Sequence, residues 1–269
     1  MLKALLRVIS ALPLPVVHGL GILTGMISYL SDKKFSRRIR NNLANAGIAS
    51  DPAAYKRLVR QNVRETGKGI LETFAVWFRS PASTLKWIKA CHGWHHVEQA
   101  RAEGKGIIFL TPHLGCYEIT ALFYAARHPI TVLYRPPRQS WLAPLIEEGR
   151  NRSQITLAAT NMGGVRSLLK TLRKGDAIGI LPDQVPESGE GVWADFFGKP
   201  AYTMSLVSKL AETTGATVLM AFGERLSWGR GFVIHIEPLG VEPTPMGAVA
   251  PGWLVRYRRH GRFGRKTAA

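Results

Sequence analysis

The chain has 269 residues, 46% of them apolar, with Lys+Arg 36 against Asp+Glu 18 and a formal net charge of +18. The apolar fraction excludes a disordered chain, the lack of a glycine repeat excludes a collagen-like one, and a single long uncharged stretch excludes a polytopic membrane protein. The charge imbalance points to acidic partners: nucleic acid, anionic lipid, a phosphorylated substrate or an acidic carrier protein.

The uncharged stretch is 8–31, VISALPLPVVHGLGILTGMISYLS. A helix that begins at Pro15 and ends at Leu30 is short for a bilayer span, which takes about 20 residues. The segment is therefore read as an N-terminal membrane anchor that either spans or dips in, with a buried core helix as the alternative. Gly21 and Gly25 form a GxxxG pair suited to helix packing. Lys33, Lys34, Arg37, Arg38 and Arg40 follow the anchor and outnumber Lys3 and Arg7 before it, which places the bulk of the chain in the cytoplasm. The same cluster attracts anionic headgroups. With only Cys91 and Cys116, no disulfide framework forms, in keeping with a reducing compartment.

Residues 1–50 are read as anchor and basic linker, 51–242 as the globular domain and 243–269 as a basic tail. Asp51 and Pro52 supply an N-cap and first-turn proline for a helix over 52–79, with a break expected near Gly67 and Gly69. Short apolar runs follow at 106–111, 130–134, 155–159, 177–182, 217–222 and 231–237, and they read as strands buried on both faces. Helical patterns lie at 117–127, 140–150, 164–174 and 203–214. The alternation predicts an α/β fold: a mixed, largely parallel central sheet flanked by helices, with the N-terminal hydrophobic anchor helix added.

Open α/β sheets bind ligands beyond the carboxyl ends of their strands. Three predicted strand ends deliver His113 and Glu118, then Arg135 and Arg138, then Asp183 and Gln184 to one rim. A histidine there suits proton abstraction near neutrality. Glu118, five positions on, is placed to hold one ring nitrogen while the other attacks a substrate hydroxyl, and the amides of Leu114 and Gly115 are placed to hold an oxyanion. From the H-x-x-x-x-E spacing alone, a strand-end histidine in a structural hydrogen bond is the competing reading.

The stretch GKGIIFLTPHLGCYE resembles the signature of the late lipid A acyltransferases, the lauroyl and myristoyl transferases of Gram-negative bacteria, within a superfamily that includes the glycerophosphate acyltransferases. Blocks 134–152, 163–203 and 210–226 are similar to the family in order and spacing, and LPLPVVHGLGILTG resembles its anchor region. Cys116 and Tyr117 stand where the family usually has Asn-Trp, and the chain after Glu242 differs from the family's tryptophan- and basic-rich end.

The resemblance implies an inner-membrane enzyme with its catalytic domain on the cytoplasmic side. It implies transfer of a fatty acyl chain from an acyl carrier protein thioester, or acyl-CoA, to a hydroxyl of a phosphorylated glucosamine-based acceptor. His113 is then general base and Glu118 its charge partner, with no metal or other cofactor. A lysophospholipid, glycolipid or aminolipid acceptor, or a non-catalytic basic membrane-binding homologue, are the alternatives.

Arg135 and Arg166 lie in the matched blocks and are read as grips for substrate phosphate or the carrier's acidic helix, and Asp183 and Gln184 as substrate-orienting, each against a plain structural role. Arg150 and Arg152 are further candidates. Glu187, Glu190 and Asp195 are read as a lid or an acidic surface loop. Cys91, His92, His95 and His96 fit no usual zinc spacing. No G-x-S-x-G or Walker A sequence occurs. The tail, in which Trp253, Tyr257 and Phe263 interleave with basic residues, is assigned to the anionic inner membrane rather than to nucleic acid.

Overall fold

The structure is a computed structural model that describes residues 2–137, 139 and 142–239; Arg138 and the tail 243–269 lie outside the described residues. Four helices lead: α1 (Leu2–Ala11), α2 (Leu14–Ser31), α3 (Lys33–Ala46) and α4 (Pro52–Phe78). The remainder runs α5 (Pro81–Leu85), β1 (Ile88–His92), α6 (Trp94–Glu103), β2 (Ile107–Leu110), α7 (Tyr117–Ala125), β3 (Ile130–Tyr134), α8 (Ala143–Arg150), β4 (Ile155–Ala159), α9 (Met162–Arg173), β5 (Ala177–Ile180), β6 (Gly191–Phe196), β7 (Lys199–Met204), α10 (Leu206–Thr214), β8 (Thr217–Arg225) and β9 (Phe232–Pro238).

Seven strands form one sheet in the order β1-β9-β8-β2-β5-β3-β4. Every neighbouring pair is parallel except β8 with β9. The six expected strands are all present, and β1 adds a seventh. All residues of β2 and β5 are buried, because helices cover both faces. Ile107 and Phe109 face the core beneath α7, while Ile108 and Leu110 face the core beneath α9 and α10. This two-sided burial is why these strands read as unbroken apolar runs.

The N-terminal helices have local causes. Asp32 caps α3 by accepting from the amides of Lys34 (2.8 Å) and Phe35 (3.1 Å), and Asp51 caps α4 through the amide of Ala54 (2.7 Å). Phe35, Ile39 and Leu43 recur on one face of α3 and pack with Val59 and Val63 of α4. So 33–46, read as a linker, is a helix.

The expected break in α4 does not occur. Gly67 lies against α2, and a Cβ there would stand 2.1 Å from the carbonyl oxygen of Gly21 and 2.9 Å from the Cα of Gly25. The GxxxG pair of α2 thus meets a third glycine, which makes close approach of the two backbones possible. Alanine at 67 would gain about 1 kcal/mol of helix propensity. The clash is with backbone, so overpacking of about 1–3 kcal/mol outweighs that gain. Gly67→Ala is expected to lower stability in a denaturant titration.

A buried charged cluster locks α2, α4 and β8 together. Glu72 is 1% exposed. Its carboxylate accepts from His18 Nε2 at 3.0 Å and from Arg225 Nε at 2.8 Å. Burial alone would push the Glu72 carboxyl up, but the hydrogen bonds from His18 and Arg225 and the guanidinium charge hold it below its ordinary value of 4.5. A carboxyl depressed in the folded state stabilises the fold above its unfolded value, and that contribution disappears as pH falls through the folded value. Denaturant titrations from about pH 7 down to about pH 3 are therefore expected to show falling stability below the mid-4 range. In Glu72→Gln that component of the acid dependence is expected to be absent, and the chain to be weaker at neutral pH.

Candidate active site

The site follows from register. In the parallel pair β2–β5, Leu110 stands opposite Ile180. The ladder continues one step further, with the Thr111 amide donating to the Ile180 carbonyl at 2.9 Å. His113 lies three residues past Leu110, and Asp183 three past Ile180, so two neighbouring strand ends bring them side by side. The His113 ring Nδ1 lies 2.9 Å from Asp183 Oδ1, and the His113 amide donates to Oδ2 at 2.8 Å. One carboxylate thus holds both the ring and its backbone. An ionised carboxylate only accepts, which puts the proton on Nδ1 and leaves Nε2 with its lone pair free. Both side chains are 40% exposed.

Glu118 does not hold the imidazole. It opens α7 and turns inward to Arg150, whose Nε lies 3.0 and 3.1 Å from its two oxygens and whose Nη2 also donates to it. The pair is largely buried, at 17% exposure for Arg150 and 7% for Glu118. Burial would lower the Arg150 pKa, but the Glu118 charge raises it above its ordinary value. The physical reason for the exchange of partners is depth. A buried guanidinium fork outcompetes a half-exposed ring for a buried carboxylate, and Asp183 already occupies Nδ1.

The turn between His113 and α7 is tight. Leu114 N donates to Pro112 O at 2.6 Å, so that amide is spent and is not an oxyanion donor. Cys116 N donates to Gly223 O at 2.8 Å. Gly115 N–H is left without a hydrogen-bond partner among the described residues. Gly115 has φ +62, and a Cβ there would lie 2.0 Å from Gly223 O, so only glycine fits. Behind it, Arg225 Nη2 donates to Gly115 O at 2.7 Å. The buried cluster of Arg225 and Glu72 therefore also fixes this turn.

Two spaces meet here. An open groove is lined by His113, Leu114, Gly115 and Tyr117 with Phe74 of α4 and Phe222 of β8. A tighter, mainly apolar crevice runs into the core between Tyr117, Glu118, Arg150, Trp77, Trp94 and Phe123. His113 lines the groove and not the crevice, and Tyr117 borders both. The Tyr117 and His113 ring centroids are 4.6 Å apart. Burial, then the Glu118 charge, push the Tyr117 phenol well up, so it stays protonated. Burial does the same to the Cys116 thiol, with the Glu72 charge adding to it, so a thiolate nucleophile is disfavoured.

The other expected residues sit further out. Arg135 follows β3 on the same rim and pairs with Glu187 at 3.5 Å. Gln184 is exposed beside Asp183. Arg166 is exposed on α9 and lines neither the groove nor the crevice. Arg152 is used internally, with Nη1 donating to the carbonyls of Trp77 (2.8 Å) and Arg79 (2.6 Å). Glu187 and Glu190 lie in the exposed loop before β6, whereas Asp195 lies within β6, one strand of the hairpin over 191–204. Among the described residues, no group of three or more His, Cys, Asp or Glu side chains is placed to hold a metal, Cys91, His92, His95 and His96 included. The sequence reading missed the Asp183 contact to the ring, the Arg150 contact to Glu118 and the Arg225 brace.

Comparison with known proteins identifies the family. The sequence model of the family described as bacterial lipid A biosynthesis acyltransferase matches residues 1–240. The chain is 23% identical over 251 residues to the lipid A biosynthesis lauroyltransferase of Escherichia coli (strain K12), covering 93% of this chain and 81% of that one. It is 24% identical over 228 residues to the lipid A biosynthesis palmitoleoyltransferase of the same strain, covering 84% and 74%. A lipid A biosynthesis acyltransferase of Haemophilus influenzae is 31% identical over 131 residues, covering 48% of this chain and 41% of that one. A family match over residues 1–240, nearly the whole described chain, places the chain in the bacterial lipid A biosynthesis acyltransferase family, and it is an acyltransferase.

Proposed function

We propose that the chain moves a fatty acyl group from an acyl carrier protein thioester to a hydroxyl of a phosphorylated, glucosamine-based lipid A precursor at the inner membrane. The observation that carries this reading is the His113–Asp183 pair opening into a groove beside an apolar crevice. In the proposed step, His113 Nε2 takes the acceptor's hydroxyl proton as its oxygen bonds to the thioester carbonyl carbon. The Gly115 N–H faces the oxyanion that forms. The carbon–sulfur bond then breaks, and the thiolate takes the proton back from Nε2. Asp183 sets the tautomer and stabilises the imidazolium. Glu118 acts at one remove, holding Arg150 on the crevice wall where the acyl chain would lie. Arg135, on the same rim, is the phosphate grip this reading assigns, with Gln184 beside the pair; Arg166, away from the groove and the crevice, is left out of the step. The net charge of +18 suits an acidic carrier and an anionic bilayer.

By length and composition α2 is the one helix among the described residues able to cross a membrane. It is clamped along α4, whose Arg60 and Arg64 are exposed at the same level. Carrying those charges into hydrocarbon is costly. We therefore read α2 as lying in the interface, with Val16, Leu20, Leu23, Ile27 and Leu30 turned to lipid.

The test is purified chain given lauroyl carrier-protein thioester and a tetraacyl, Kdo-bearing precursor. A product heavier by one acyl group is expected by mass spectrometry. Transfer only to lysophospholipid would overturn the acceptor assignment.

A further inference from the structure

The β6–β7 ribbon pairs only with itself, as a separate two-stranded sheet. Phe196 opposes Lys199, which leaves Phe197-Gly198 as a two-residue turn. Both turn residues have positive φ, 51° at Phe197 and 68° at Gly198. That geometry favours Asn-Gly, and a bulky aromatic at its first position is disfavoured. Phe197 is nonetheless 56% exposed and Phe196 66% exposed, their rings edge to face at 4.7 Å. Neither ring serves the core, and one of them opposes the turn. A backbone held against its preference at an exposed position points to a role outside folding.

The ribbon also has a defined neighbour. Lys199 Nζ donates to Asn45 Oδ1 at 2.8 Å, tying the turn to the last turn of α3. Along α3, Lys33, Lys34, Arg37, Arg38 and Arg40 are all exposed, and the helix contains no acid. Its other end joins the last turn of α2, where Leu30 is 81% exposed. One strip thus runs from an apolar helix face through five cations to an aromatic tip. Cations flanked by apolar groups complement an anionic bilayer surface, with charge at the headgroups and rings among the acyl chains.

We propose that this strip docks on an anionic phospholipid bilayer and that Phe196 and Phe197 insert into it as a second anchor, separate from α2. The proposal rests on the membrane-seated reading above. Its consequence is orientation: the ribbon continues the loop that carries Asp183, so insertion of the tip would hold the mouth of the groove toward lipid acceptors.

The full chain would carry an environment-sensitive NBD label at Phe196→Cys or, as a control, at Ile27→Cys, both with Cys91→Ser, since Cys116 is buried. Each would be reconstituted with phosphatidylcholine and phosphatidylglycerol vesicles and exposed to iodide in water and to doxyl-labelled lipid. The proposal expects both labels to be quenched by doxyl lipid and shielded from iodide. Iodide quenching at 196 with doxyl quenching at 27 would overturn the second anchor alone, while loss of doxyl quenching at both would overturn the membrane seat as well. A label at 196 shielded from both quenchers, with a dimer by mass, would assign the tip to a second copy and overturn the proposal. Phe196→Ser with Phe197→Asn is expected to keep the fold, since Asn suits the turn, and to weaken partitioning onto these vesicles by about tenfold or more. Unchanged partitioning would contradict it.

Discussion

Replacing His113 with alanine is expected to lower kcat/KM for acyl transfer by about 100- to 10,000-fold, the range that a positioned general base contributes. Asp183→Asn is expected to approach the same loss, although it preserves size and shape. An amide oriented to donate to Nδ1 would move the ring proton to Nε2 and abolish the lone pair the reaction needs. The two losses should not add in the double variant, because both act on one proton transfer. Neither change touches the core, since both side chains are 40% exposed, so folding should survive both. Full activity in His113→Ala would remove the base from the account.

The second large effect concerns stability. Arg150→Met removes the guanidinium and leaves the Glu118 carboxylate buried without its partner, which is expected to destabilise the fold by about 3–5 kcal/mol. Glu118→Leu leaves the mirror-image problem, a buried cation. Changing both together removes the whole desolvation cost, and the double variant should recover most of the stability in a denaturant titration. If Glu118 instead served the imidazole directly, Glu118→Gln would abolish activity at unchanged stability, and Arg150→Met would do little to either.

The sheet was legible because its central strands are buried on both faces. Runs such as GIIFLT and AIGILP carry that pattern without any need of neighbours. The β6–β7 ribbon was not legible, since its turn is Phe-Gly rather than Asn-Gly and Pro200 sits in one strand. Pro200 is tolerated because a two-stranded ribbon is all edge. The helix over 33–46 was legible in principle: Asp32 is a strong cap, and Phe35, Ile39 and Leu43 repeat at helical spacing.

At the site, the strand ends were legible but their order was not. His113 and Asp183 lie 70 positions apart, and they meet because β5 returns beside β2 while β3 and β4 lie outside. Glu118 was nearer in sequence and drew the assignment, yet its partner Arg150 lies in α8. The Glu72 cluster left a faint trace, an acid and a histidine each inside an otherwise apolar helical run. Pairing them required knowing that α2 lies along α4.

The most direct measurement is the tautomer of His113, read from two-bond proton–nitrogen correlations of the ring in nitrogen-15-labelled protein above the pH at which the ring is charged. A proton on Nδ1 and a bare Nε2 in the native chain, with that preference lost in Asp183→Asn and kept in Glu118→Gln, is the predicted result. A proton on Nε2, or a preference that follows Glu118 instead of Asp183, would contradict it.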